Sequence, residues 1–248
     1  MTRCSREVGI IKSCVLGAAL AAGLATAAQA GDNKLALSAT TAFTTDYIFR
    51  GISQTSNGPA AQPEFDLTYG IFYAGMWGSN IEPAGDGLEI DYYVGITPKW
   101  KNITFNFAAL AYTYPGENEN LDYFEAKTGA SWTGGQWTIG VTNYWSPDYF
   151  QAFGESDAIE GQIAYALKWK PFNFFSPAIS GGVGFQSYDE VADDYTYWNA
   201  GLTLGFMEHW SADVRYYDTD YNEDQCFINV SVRDACDERV VGTLKAVF

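Results

Sequence analysis

Glu64 with Asp66, and Glu89 with Asp91, are pairs of carboxylates whose type and spacing could do chemistry. In an extended backbone, residues two apart share one face, so such a pair could divide acid and base roles between its members. Asp46 and Arg50, in the stretch "TTDYIFRGIS", add an opposite-charge pair four apart on one strand face. Glu125 with Lys127, Glu160, and Asp213 with Arg215 continue the pattern of charges at alternate positions. Catalysis would need a Ser-His, Asp-His or comparable partnership. His209, the one histidine, falls in the short turn "MEHW" away from these acids, so no catalytic site, cofactor or metal centre is expected. The dense acidic stretches "DEVADDY" and "DTDYNED" lack EF-hand spacing and read as solvated loops.

The four cysteines divide by position. Cys4 and Cys14 lie in a leader in which Arg3, Arg6 and Lys12 precede the apolar "VLGAALAAGLATA", and Ala28-Gln29-Ala30 fits a small-x-small cleavage site. Residues 1–30 therefore read as a secretory signal peptide and 31–248 as the mature chain. Cys226 and Cys236, ten apart in an exported chain, are expected to form a disulfide that staples a loop. The leader holds three cations and Glu7, a net of +2, so its loss takes the formal charge from −16 to −18. A balance this acidic argues against nucleic acid, which is bound through Lys and Arg on phosphates, and favours cations.

These residues are positioned by segments that alternate with period two over about ten residues each, rather than by helices. "LEIDYYVGIT" sets Leu88, Ile90, Tyr92, Val94 and Ile96 against Glu89, Asp91, Tyr93 and Thr97. The first run sets Leu35, Leu37, Phe43, Tyr47 and Phe49 against Ser38, Thr40, Asp46 and Arg50. Aromatics at 17% with 25 Gly and a mean hydropathy of only −0.14 suit strands without long apolar stretches. Twelve such runs can be counted. Their connections alternate between long, as in "SPDYFQAFGESDA", and short, as in "TGGQ", with acids such as Asp86, Glu117, Glu119 and Asp193 in the long ones. A transmembrane barrel with both termini in the periplasm predicts this alternation.

A soluble β-sandwich also has alternating strands, but these runs are as long as a tilted bilayer crossing requires. Trp100, Trp132, Trp137, Trp145, Trp169 and Trp210 fall near run ends, as in an aromatic girdle, and the last run ends on Phe248. The reading is an all-β transmembrane antiparallel up-and-down β-barrel of about 12 strands in the bacterial outer membrane. Apolar faces meet lipid, so Asp46, Arg50, Glu64, Asp66, Glu89 and Asp91 face the lumen. Glu125, Lys127, Glu160, Asp213 and Arg215 do likewise, together with Lys168 and Lys245. The expected partners are outer-membrane lipid and lipopolysaccharide, the assembly machinery through Phe248, and small solutes.

"TTDYIFRGISQT", "YAGMWGSNIE" and "LEIDYYVGI" resemble the TorF-type family of proteobacterial porin-like proteins, with similarity from about Thr40 to Phe248. That resemblance implies an outer-membrane barrel of porin type without a catalytic residue or cofactor to carry over. The expected function is passive diffusion of small solutes or ions with a lean to cations. The alternative is a closed barrel with a structural or surface-binding role.

Overall fold

The computed structural model describes residues 34–82, 87–116, 121–169 and 175–248. The leader and the acidic loop residues Asp86, Glu117 and Glu119 lie outside the described residues. Twelve long strands succeed one another in order: β1 Leu35–Thr44, β2 Ala60–Tyr69, β3 Phe72–Ile81, β4 Gly87–Ile96, β5 Ile103–Thr113 and β6 Tyr123–Gly134. The second half is β7 Trp137–Ser146, β8 Ser156–Ala166, β9 Phe175–Tyr188, β10 Tyr195–Phe206, β11 Trp210–Thr219 and β12 Arg239–Val247. Each pairs antiparallel with its neighbours in sequence, and β1 closes on β12 with Phe43 opposite Leu244 and Thr40 opposite Val247. Closure satisfies every strand edge, which a bilayer core demands because it offers no water to an unpaired amide.

The alternation that builds each strand also sorts its two faces. Phe43, Phe65, Val94, Val141, Ile159 and Val214 stand exposed on the outside, Phe43 at 57%. Their neighbours Thr44, Glu64, Tyr93, Thr142, Glu160 and Arg215 point in. Five of the girdle tryptophans, Trp100, Trp132, Trp137, Trp169 and Trp210, lie at or beside the short turns, while Trp145 sits near the long loops. One rim is thus marked as an interface, and the short turns make it the periplasmic one.

Glycines opposite large inward residues keep the wall thin. Gly75 faces Tyr93 and Gly95 faces Tyr73 across the β3–β4 ladder. A Cβ on Gly75 would come within 2.5 Å of the Tyr93 hydroxyl, and one on Gly95 within 2.6 Å of the Tyr73 ring. Each tyrosine lies across the space that its partner's missing side chain leaves, so the rings line the wall rather than fill the lumen.

Three of the outer loops shape the lumen or brace what lies in it. L1 (45–59) turns inward and contains a miniature hairpin in which Ile48–Phe49 pairs with Ile52–Ser53. L4 (147–155) carries a short 3-10 turn, Tyr149–Gln151. L6 (220–238) holds helix α1, Glu223–Val230, started by Asn222, whose side chain accepts from the backbone of Asp224 and Gln225. The same loop contains the Cys226–Cys236 disulfide.

Candidate functional site: the lumen and its crossbar

The strand β1 ends at Thr44, where the Thr44 hydroxyl donates 2.8 Å to the carbonyl of Asp46 and the chain bends into the barrel. Alternation of residue types continues past this point because the inward hairpin is itself extended. Its two-residue tip is Arg50-Gly51, with φ of 47° and 84°, the double positive φ of a type I′ hairpin turn. Only glycine fits the second position: a Cβ on Gly51 would lie 2.5 Å from Thr219 Cγ2 and 2.8 Å from Tyr197 Cβ.

The two charges of "TTDYIFRGIS" therefore sit at opposite walls, which corrects the expectation that they share one face of a strand. Asp46 accepts from the hydroxyls of Ser53 at 2.7 Å and Thr55 at 2.9 Å within L1, and from Arg239 Nη1 of β12 at 2.9 Å. Arg50 reaches the other side. Its Nη2 donates to Glu125 Oε2 on β6 at 2.8 Å and its Nη1 to Gln186 on β9 at 2.9 Å. In a twelve-strand ring, β12 and β6 stand half a circumference apart, so L1 is a crossbar pinned by an ion pair at each end. Tyr47 and Phe49 correct the sequence reading too. Neither meets lipid; Tyr47 is 7% exposed and joins an aromatic cluster inside the barrel, with Phe49 packed against it.

The other sequence-predicted residues lie on strands and point inward: Glu64 and Asp66 on β2, Glu89 and Asp91 on β4, Glu125 and Lys127 on β6, Glu160 on β8, and Asp213 and Arg215 on β11. Lys245 on β12 joins them, whereas Lys168 lies beyond the end of β8, exposed in a turn. They do not form one constellation. Arg215 is consumed by a network with Asp213 at 3.1 Å, Asn199 at 2.8 Å and Ser180 at 2.8 Å, filling the β9–β11 side. Glu160 accepts from the Tyr197 hydroxyl at 2.7 Å, and Glu89 accepts from Tyr47 at 3.2 Å. Tyr93 donates to both Asp66 and Glu64, at 2.6 and 3.1 Å.

The crossbar divides the lumen unequally. Towards β1–β5 lies a cavity of about 230 Å³ that extends round to β6–β8 and β11–β12, with residues 46–50 of L1 along it. Against β8–β11 lies a smaller cavity of about 30 Å³, beside Arg50, Gly51 and Tyr197. Charge is divided in the same sense. Among the described strand residues, β1–β5 turn four carboxylates inward and no Lys or Arg; β6–β12 turn in three carboxylates and four cations. The larger cavity therefore borders the acidic wall at Glu64 and Asp91 and the mixed wall at Lys127, Glu160, Asp213 and Lys245.

At the outer end the larger cavity meets packed rings. Tyr112 stacks on Tyr123 at 4.4 Å, and Tyr149 and Phe150 of L4 close on Tyr123 at 4.7 and 4.6 Å. L6 braces the hairpin from outside: Ile52 packs with Cys226 and Cys236, and Ser53 N–H donates to the Ala235 carbonyl at 2.8 Å. Sequence reasoning missed the inward hairpin. Its signals were the Arg50-Gly51 turn and the Ser53 and Thr55 hydroxyls that answer Asp46.

Among the described residues, no group of His, Cys, Asp and Glu is arranged to hold a metal ion. Solved structures similar to the chain are outer-membrane barrels. The KdgM porin aligns with a TM-score of 0.57 and 7% identity, over 85% of this chain and 99% of the porin. The NanC porin aligns at 0.47 and 11% identity, over 86% and 98%, and LpxR from Salmonella typhimurium at 0.48 and 8%, over 85% and 99%. Identities this low speak for the fold alone, a porin-like barrel of the bacterial outer membrane. No curated sequence matches the chain. Its family is shown by a model that matches residues 28–248: the chain belongs to Gcw_chp, a family described as bacterial protein of unknown function.

Proposed function

We propose that the protein is a porin-like channel for passive diffusion of small solutes, cation-favouring because five carboxylates against three cations line the larger cavity. The observation that carries this reading is the cavity of about 230 Å³ beside the crossbar, lined from β1–β8 and β11–β12. Its inward carboxylates set a negative local field, the means by which rings of acidic side chains select cations. The resemblance of the first third of the chain to TorF-type porin-like proteins points the same way. The partners are small solutes within, lipid and lipopolysaccharide around the apolar face, and the assembly machinery at Phe248.

A second reading draws on a specific observation, the rings that pack the outer end of the cavity. On that reading the barrel is closed and acts through its acidic loops. Refolded mature chain in a planar bilayer separates the two. Discrete conductance steps, with a reversal potential in a salt gradient on the cation side, support the channel. A membrane that stays silent supports the closed barrel, and a reversal on the anion side removes the charge argument.

A further inference from the structure

From the composition of the larger cavity we infer that its acidic wall is a binding site for organic cations, solutes that carry an ammonium or guanidinium group on a carbon skeleton. The inference rests on the channel reading and adds a solute class to it.

Two features share that wall. Glu64 and Asp91 line the cavity together with Tyr73, Trp77 and Tyr93. The rings are paired, Tyr73 with Tyr93 at 6.1 Å and Tyr47 with Trp77 at 5.2 Å between centroids. Carboxylates would hold the charge of a cation, and ring faces attract the same charge through their quadrupoles while covering its carbon skeleton. A metal ion makes little use of the rings and a neutral solute little use of the carboxylates, although Lys127 and Lys245 also line the cavity.

Tyr144, across the cavity on β7, supplies an independent observation. It lines the cavity, is 4% exposed, and its hydroxyl makes no hydrogen bond. Asp91 Oδ1 is likewise buried and has no hydrogen-bond partner. Buried polar groups are nearly always satisfied, at a penalty of about 1–3 kcal/mol when they are not. The Tyr144 ring face is already occupied by Arg50 at 4.9 Å and Lys127 at 5.3 Å. What remains is its hydroxyl, which can accept from an N–H as well as donate its own proton. An ammonium at either oxygen would satisfy it, and the cavity of about 230 Å³ far exceeds the roughly 10–15 Å³ that admits a single water.

The test uses one four-carbon skeleton in three charge states: putrescine, 1,4-butanediol and succinate. Each is titrated against the full mature chain in detergent, reading tryptophan fluorescence with Trp77→Phe to identify the reporter, and separately against the current in a planar bilayer. The expected result is a saturable signal and a current block for putrescine alone, weakened at least about tenfold in Asp91→Asn and in Glu64→Gln, the change that loss of one close charge partner produces. Each variant is first checked for heat-modifiable gel migration, so that Glu64→Gln carries the test if Asp91→Asn does not fold. Equal effects of succinate or butanediol, or putrescine binding unchanged in the variants, would overturn the inference. A chain that conducts but does not bind putrescine removes the site and leaves the channel. A chain that binds putrescine without conducting removes the channel and leaves the site.

Discussion

Replacing Arg50 with alanine should release the crossbar. The Arg50 and Glu125 side chains are 3% and 0% exposed, and their nearest atoms are 2.8 Å apart. Deleting the cation leaves the Glu125 carboxylate buried with a hydrogen bond from Tyr112 at 3.0 Å, and breaking a buried pair this way costs about 3–5 kcal/mol. The lost bond to Gln186 adds about 0.5–1.5 kcal/mol. Backbone strain is not relieved, because alanine inherits the φ of 47°. At about 1.4 kcal/mol per decade, the docked form of L1 loses roughly a hundredfold or more relative to the undocked one. The barrel wall, held by its ladders, is not involved, so heat-modifiable migration should persist while external protease gains access to residues 45–59 and bilayer conductance rises. Glu125→Ala in the same chain should restore part of the docking, since it removes the orphaned charge, and the double-mutant cycle should show strong coupling. Conductance and protease resistance unchanged in Arg50→Ala, with coupling below about 0.5 kcal/mol, would refute the crossbar as a pinned element.

Gly51→Val should displace the hairpin tip as well, because its φ of 84° and the Thr219 and Tyr197 contacts leave no room. A penalty on the order of 1–3 kcal/mol should appear as noisier single-channel current without loss of the folded barrel band. Replacing both Cys226 and Cys236 with serine removes about 2–3 kcal/mol of loop constraint; limited proteolysis should cut L6 faster and L1 with it, since Ile52 belongs to the same buried cluster as both cysteines. Val141→Arg, on the lipid face of β7, should lower folding stability in vesicles by about 2–4 kcal/mol, while Gln62→Arg in the lumen should alter selectivity with far less effect on folding.

Much of the barrel was legible in the sequence because period-two alternation reports which face meets lipid. The connections added direction: short turns such as "TGGQ" and long loops such as 147–155 fall on opposite rims, as their lengths predict. The inward hairpin was not legible from alternation. Tyr47 and Phe49 keep the parity of the strand that precedes them, so period two could not show that β1 had ended at Thr44 and that their faces now met other rings instead of lipid. Partnership was equally hidden. Asp46 and Arg50 are four apart in sequence, yet their ion-pair partners, Arg239 and Glu125, come from opposite sides of the barrel. Helix α1 in L6 was missed although Asn222 and Gln225 form a capping box, because eight residues give too short a period to stand out in an acidic loop.

Passage of solutes on the acidic side of the crossbar is tested most directly by thiol accessibility. Gln62→Cys places a thiol in the larger cavity and Gln162→Cys one in the smaller. With cationic and anionic thiosulfonate reagents added from the periplasmic side during current recording, Gln62→Cys should react and block quickly, and faster with the cationic reagent by about tenfold as the wall's field implies; Gln162→Cys should react slowly with both. Fast block at Gln162→Cys, or a preference for the anionic reagent at Gln62→Cys, would contradict passage along the acidic wall.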